Sequence, residues 1–309
     1  MSATDRGDKF LRSAYAFIDE HPEEWKLEYD VDLEVLNHVL RVRIQDGTID
    51  QHVSHVRSLC QIQHDDGGWG DTRDDPVSRL RSTAFCTQML LRANRVLKDE
   101  SIATTIKRAL QFIVGQQEDN GGWRDHKWHF LDAASVSVGT LLFAVNEPTA
   151  DEEQRLALQR GMDFIVSQQH ANGLWYYRPT ASPVTITAHL LQKCATFGSP
   201  EPVIVPAVKQ LLALQAAAGH WDQEHIDHTC DATRCLMLSA STDHVKPLGP
   251  AVLEASGKAV GWLLDSVSDG GLGDRPGQKP HVERTCDGID TLLKFRRFQS
   301  QHEMLAFWR

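Results

Sequence analysis

Residues 111–125 read QFIVGQQEDNGGWRD, and the phrase returns along the chain. A helical stretch ends in Gln, a Gly/Asn/Asp turn follows, and Trp closes it. The same order occurs in CQIQHDDGGWGD (60–71), FIVSQQHANGLWYY (164–177) and LLALQAAAGHWDQ (211–223). A worn copy, WLLDSVSDGGLGD (262–274), carries Leu272 in place of Trp, and a weaker first copy, AFIDEHPEEW (16–25), ends at Trp25. The anchors at 25, 69, 123, 175, 221 and 272 lie 44, 54, 52, 46 and 51 residues apart, so six units of about fifty residues fill the chain of 309.

Each unit holds two segments with apolar residues at helical spacing. Ile106, Leu110, Ile113 and Val114 precede one turn, and Val136, Val138, Leu141 and Leu142 follow it. Gly, Asn and Asp at the turn are what a helix stop and restart require. Alternating β-branched runs are scarce, so the sequence predicts an all-α protein of twelve helices. The second helix of each unit is rich in small or apolar residues, as in STAFCTQMLL (82–91), ASVSVGTLLF (134–143) and TITAHLLQKC (185–194). Helices apolar on most sides belong on a buried inner ring. An open solenoid would need a polar end cap, whereas this chain ends in LAFWR (305–309). Six pairs are therefore expected to close into a single (α/α)6 barrel domain spanning residues 1–309.

Composition narrows the function. With 41% hydrophobic and 24% charged residues the chain can bury a large core, and its net charge of -10 is the wrong sign for a nucleic-acid partner. No apolar run reaches the roughly 20 residues of a membrane span, and MSATDRGDKF lacks the apolar stretch of a secretory signal. A soluble, cytoplasmic protein is expected. The six cysteines are scattered through a chain that needs no staples, so they read as reduced thiols.

The Q-x-x-x-G-x-W phrases resemble the QW repeats of squalene-hopene and oxidosqualene cyclases, and the related repeats of protein prenyltransferase β subunits. SPVTITAHLLQKCATFG (182–198) is similar to a segment of the bacterial triterpene cyclases, and GGLGDRPGQKP (270–280) to one of the prenyltransferase β subunits. The resemblance covers the whole chain. It implies the toroid fold and a prenyl or terpenoid substrate cyclised or isomerised by protonation, an isomerase or lyase chemistry. Class II cyclases keep their acid in D-x-D-D-T-A or D-C-T-A at the start of an inner helix. Here Asp231 is followed two residues later by Thr233, which makes Asp231 the candidate acid and Asp132 its rival. Burial raises a carboxyl pKa, and the thiols of Cys230 and Cys286 could hold the acid form as cysteines do in the oxidosqualene branch. A literal D-x-D-D is absent. The prenyltransferase zinc set is absent as well, with Arg284 aligned where its His belongs and Thr229 and Asp231 where its Asp and Cys belong.

Residues just after each turn gather on one rim: Asp30, Asp32 and Glu34, then Asp132, then His228, Cys230 and Asp231, then Glu283, Cys286 and Asp287. His228 joins the catalytic candidates, and Asp30, Asp32, Arg81, Trp128, Phe130, Tyr177 and Asp287 are the candidates for substrate binding. Each acid has an alternative reading as a helix cap. The turn tryptophans read as structural ties between repeats. Arg73, Arg79, Arg81, Arg124 and Arg178 suit diphosphate oxygens or salt bridges to neighbouring Asp residues, and Mg2+ would accompany a diphosphate. His225, His228 and Cys230 have ligand types that could hold zinc or another transition metal. Two other readings stay open: a metal-dependent enzyme acting on another small molecule through that rim, and a non-catalytic binding barrel.

Overall fold

A computed structural model describes residues 3–307, with side chains described from 5 to 301, so the terminal LAFWR lies outside the described side chains. Among the described residues there are twelve α-helices and no strand, as the repeat predicts. No described helix is long and apolar enough to cross a membrane. The helices gather into two compact units, Pro22–Gln168 and Met1–His21 with Gln169–Arg309.

The first unit contains α2 (Leu33–Gln45), α3 (Val53–Gln61), α4 (Leu80–Leu97), α5 (Glu100–Gly115), α6 (Phe130–Ala144) and α7 (Glu152–Ser167). α4 lies between α2 and α6 to form one layer, and α3, α5 and α7 back it as a second. The sequence dictates which helix goes where. α6 buries Ala133, Ala134, Ser135, Ser137, Val138 and Gly139, so it packs over most of its circumference. α7 buries Ala157, Leu158 and Ile165 but exposes Glu152, Glu153, Gln159 and Arg160, so only one stripe packs.

The second unit repeats the plan with α8 (Val184–Phe197), α10 (Ile226–Ser239) and α12 (Val282–Phe307) as one layer and α9 (Glu201–Ala213), α11 (Gly249–Asp265) and α1 (Ala3–Glu20) as the other. α10 sits between α8 and α12, and α1 packs on α11 and α12, so the first helix of the chain completes the last repeat.

The repeat phrase is a wiring diagram. Indole Nε1 of Trp69, Trp123 and Trp221 donates to the carbonyls of Leu59, Ile113 and Leu211, ten residues upstream, at 2.8–2.9 Å. All three rings are fully buried. The Gln reaches onward: Gln117 Nε2 donates to Gly121 O at 2.9 Å and to Ala157 O on the next backing helix at 2.8 Å, and Gln63, Gln169 and Gln215 do the same in their own repeats. Gly121, at φ +86°, takes the left-handed turn, and a Cβ there would stand 2.5 Å from Arg160 O. Threonine is a fourth element of the repeat, unseen in the sequence. Hydroxyls of Thr83, Thr187, Thr229 and Thr285 accept from the backbone N–H of Trp69, Trp175, Trp221 and Leu272 at 2.9–3.1 Å. The same bond in the worn copy shows that Leu272 keeps the geometry without the indole.

Candidate active site

The start of α10 is held in place by strain and by hydrogen bonds. Asp222, Gln223 and Glu224 run in succession at φ 49°, 55° and 69°, a conformation that costs non-glycine residues roughly 1–2 kcal/mol each. Three contacts over-determine it. The Glu224 N–H donates to His220 Nδ1 at 3.2 Å, His228 Nδ1 meets Asp222 Oδ2 at 2.8 Å, and Ser182 donates to Asp222. Burial alone would raise the Asp222 carboxyl, but the bonds from His228 and Ser182 hold it below its usual range. The Ile226 N–H then donates to Asp274 O at 2.9 Å, which fixes where the helix begins.

Asp231, in the second turn, is buried. Its carboxylate accepts from Arg234 Nη2 at 2.6 Å and pairs with His189 Nε2 of α8 at 2.8 Å. Burial favours the acid form, but the charges and hydrogen bonds of His189 and Arg234 outweigh it and hold Asp231 far below the ordinary carboxylate range. The expected surroundings of thiols and apolar walls are not what the carboxyl meets. Cys230 is fully buried, and burial pushes its thiol up. Cys286 is also fully buried. Two cations, His189 and Arg234, thus stand against the Asp231 carboxyl and favour its ionised form.

Arg234 is the hub. Its Nη1 donates to Asp287 Oδ1 at 2.9 Å and reaches Asp290 Oδ2 at 3.4 Å, both on α12 and both buried. Asp287 also binds Arg284 at 3.1 Å, and Lys294 binds Asp290 at 2.9 Å. Asp287, a candidate for substrate binding, is thus spent inside the network. Burial would favour the neutral form of His189, but the Asp231 carboxylate reverses this and raises its pKa.

Asp227 lies four residues before Asp231, on the same helix face. Burial first, then repulsion from Asp231 and Asp287, pushes its carboxyl up to about 6, against the pull of Arg284 at 3.8 Å. Two carboxyls on one face are driven in opposite directions: Asp231 toward its charged form and Asp227 toward its protonated one. Burial likewise raises Glu283, although Arg284 donates to it at 2.7 Å.

The metal candidates do not converge. Among the described residues His225, His228 and Cys230 belong to no group whose ligand atoms come together. His225 and His228, three residues apart, stack face to face at 4.0 Å, while Cys230, two residues further, turns to the other side of the helix. The His225 imidazole is lowered to about 4 by burial and by the neighbouring His228 and Arg284. The set does not fit a metal. His228 is committed to Asp222.

Other predicted positions divide. Arg81 forms a two-pronged bond to Glu34, stacks on Trp128 at 4.0 Å and Phe85 at 4.8 Å, and feels the charge of Asp132. These residues do come together within the first unit. Asp32 caps α2 by accepting from the Glu34 N–H at 2.8 Å, and Asp30, at φ 47°, forms the exposed turn before it. Phe130 turns to Phe164 of α7 at 6.0 Å, and Tyr177 is half-buried in the loop before α8. Arg73, Arg79 and Arg124 pair with Asp74, Asp75 and Glu118.

Asp227, His189, Arg234 and Asp290 carry the site and had no role in the sequence reading. A signal was present. Asp227, Asp231 and Arg234, and again Arg284, Asp287, Asp290 and Lys294, are spaced by three or four residues, which lines charges along one face of a helix otherwise buried.

No family model matches the chain. It is 24% identical over 247 residues to a probable squalene–hopene cyclase of Sinorhizobium fredii, covering 67% of this chain and 36% of that protein. A terpentedienyl-diphosphate synthase of Kitasatospora griseola is 29% identical over 158 residues, 50% of this chain and 30% of its own length. The chain thus spans about a third of the length of the curated relatives it matches. The solved type II terpene cyclase MstE from Scytonema superposes with a TM-score of 0.70 at 16% identity, covering 96% of this chain and 100% of its own. MstE has also been solved in complex with its substrate, geranylgeranyl dihydroxybenzoate. The fold is that of the all-helical terpene cyclases, of the (α/α)6 class.

Proposed function

We propose that this chain is a small class II terpene cyclase-like enzyme that protonates a prenyl or terpenoid substrate and cyclises or isomerises it. The observation that carries the reading is the divergence of Asp227 and Asp231. Protonating an alkene needs a carboxyl raised toward neutrality, and two carboxyls one turn apart on α10, one clamped by His189 and Arg234 and the other raised, mark the acid. In this reading Asp227 gives its proton to an alkene carbon, and its new carboxylate faces the Arg284 guanidinium. The carbocation is captured by a further double bond, and loss of a proton to Asp227 restores the acid. Asp231, His189 and Arg234 act as the fixed charges that tune the donor. The shared fold with a cyclase that holds a geranylgeranyl-bearing substrate supports the choice of substrate class, although fold alone does not assign chemistry.

The test is incubation with squalene, farnesyl and geranylgeranyl diphosphates and a geranylgeranylated dihydroxybenzoate, with products read by mass spectrometry. At least one is expected to yield an isomeric or cyclised product. The rate should fall about tenfold per pH unit above about pH 6, and Asp227→Asn should lower it at least about a hundredfold. Asp132→Asn should keep most of the activity. Inertness toward every polyprene would overturn the substrate class, and full turnover by Asp227→Asn would overturn the acid.

A further inference from the structure

The first unit holds a cavity of about 280 Å³ that shares no residue with the site on α10. The sequence builds it from three short pieces. Lys26 is an extended residue between two short helical turns, Pro22–Glu24 and Leu27–Tyr29. Ser54, Ser58 and Gln61 recur every three or four residues and so share one face of α3. Arg73 comes from the loop between α3 and α4. That loop is tied down beside Arg73, because the Leu33 N–H at the start of α2 donates to Asp71 O at 2.9 Å. Trp25, itself buried, packs against the His55 ring at 5.1 Å and holds it at the cavity wall.

The lining is rich in donors that the fold leaves uncommitted. Lys26 Nζ lies over the Trp25 ring at 5.6 Å and makes no hydrogen bond or ion pair among the described residues. The hydroxyls of Ser54 and Ser58 and the carboxamide of Gln61 make none there either. His55 Nδ1 is buried and has no hydrogen-bond partner among the described residues. Arg73 reaches the Leu27 carbonyl at 3.5 Å and Asp74 at 3.9 Å, long contacts of which the second is solvent-exposed and contributes little. Glu28, exposed, supplies the carboxylate of the lining, so two cations face one anion. Burial and then the charge of Lys26 lower the His55 imidazole, which is therefore a neutral N–H donor at pH 7. A carboxylate accepts about four hydrogen bonds. A phosphate group offers more acceptor sites and up to two charges, and a guanidinium fork with a lysine point charge suits it. The volume is just below the roughly 300–1,000 Å³ of drug-sized sites, which fits a small ligand.

We propose that this cavity binds the phosphate group of a small molecule, inorganic phosphate or a compact phosphate ester, on Lys26 and Arg73 with hydrogen bonds from Ser54 and Ser58. Leu27 and Ile62 line the same space and give an ester group an apolar wall. The site is an addition to the cyclase reading and does not depend on it, because none of its residues takes part in the proton transfer.

Titration of the full chain with inorganic phosphate and with phenyl phosphate, at an ionic strength held constant with sodium chloride, tests the site. Calorimetry reads the affinity, and the ring C–H signals of His55 report its titration by NMR. Wild type is compared with Lys26→Gln, Arg73→Gln and Arg73→Lys, all at half-buried or exposed side chains whose replacement leaves the core intact. Each Gln variant is expected to weaken binding about tenfold, the usual advantage of a charge-assisted contact, and Arg73→Lys to recover part of the loss. Saturating phosphate should raise the His55 pKa by about one unit or more, because the bound anion offsets the charge of Lys26. Tighter binding of the phenyl ester assigns the site to an organic phosphate, and tighter binding of the inorganic ion to free phosphate. Failure to saturate below about 10 mM of either probe, an affinity untouched in both Gln variants, or a His55 titration that phosphate leaves in place would overturn the site.

Discussion

Asp227, half-buried at the start of α10, illustrates what a single desolvated carboxyl costs and what it supplies. Its pKa is raised, so between the unfolded value near 4 and the folded value near 6 the native chain holds a proton that the unfolded chain has released. Stability from this group is therefore lost as pH rises through that window. Asp227→Asn removes the penalty, and the variant is expected to be about 1–2 kcal/mol more stable than wild type at pH 7.5 and to match it at pH 4. Denaturant melts at the two pH values check this, and equal stability at pH 7.5 would contradict the raised pKa. His189 is the opposite kind of residue. It lies inside TITAHLL, which reads from sequence as plain core helix, and only the packing of α8 against α10 brings its ring to Asp231. No local pattern could announce that pairing, because the two residues are 42 positions apart.

Among the elements, the turn was the most legible part of the chain. Gln, Gly and Trp at fixed offsets foretold helix pairs, and in the structure each does something different. The indole staples its own helix, the carboxamide ties the next repeat, and the glycine makes the bend. Gln117→Ala leaves the carbonyls of Gly121 and Ala157 without their donor, and a loss of about 1–3 kcal/mol is expected. The exposed neighbour Gln116→Ala should change stability by no more than about 0.5 kcal/mol. Gly121→Ala should lose at least about 2 kcal/mol, because the left-handed φ and the Arg160 carbonyl at 2.5 Å both oppose a Cβ. Melting temperatures of the three variants test whether the phrase is wiring or mere composition. The threonines escaped the sequence reading because a hydroxyl bonding a backbone N–H eight to fourteen residues upstream leaves no periodic trace. The acids on the rim were visible as residue types, but a cap such as Asp32 and a network member such as Asp287 look alike until the partner helix is in place.

At the scale of the whole molecule, the net charge of -10 conceals where electrostatics decides stability. In the second unit α8, α10 and α12 meet through one ionic network, with His189 on α8, Asp227, Asp231 and Arg234 on α10, and Arg284, Asp287, Asp290 and Lys294 on α12. Three of its groups give the pH response a shape. The depressed carboxyl of Asp231 stabilises the fold above its unfolded pKa near 4, and that contribution is lost as pH falls toward the folded value. The raised His189 contributes fully below about 6.5, its unfolded value, and the contribution is lost as pH rises through the folded one. Asp227 has the same slope as His189 in the range from about 4 to 6. Below pH 4 the first effect weakens the fold, and above it the other two do, so the network is most stabilising on the acid side of neutrality. Thermal unfolding is expected to show a maximum between about pH 4 and 6. Hydrogen exchange at pH 3 should expose α10 and α12 sooner than α4 and α6. Asp231→Asn removes the carboxylate that raises His189, so the loss of stability as pH rises through the folded His189 value should disappear, while the slope from Asp227 between about pH 4 and 6 persists because burial is its first cause. A wild-type maximum at or above pH 8 would mean that packing, and not this network, holds the three helices together.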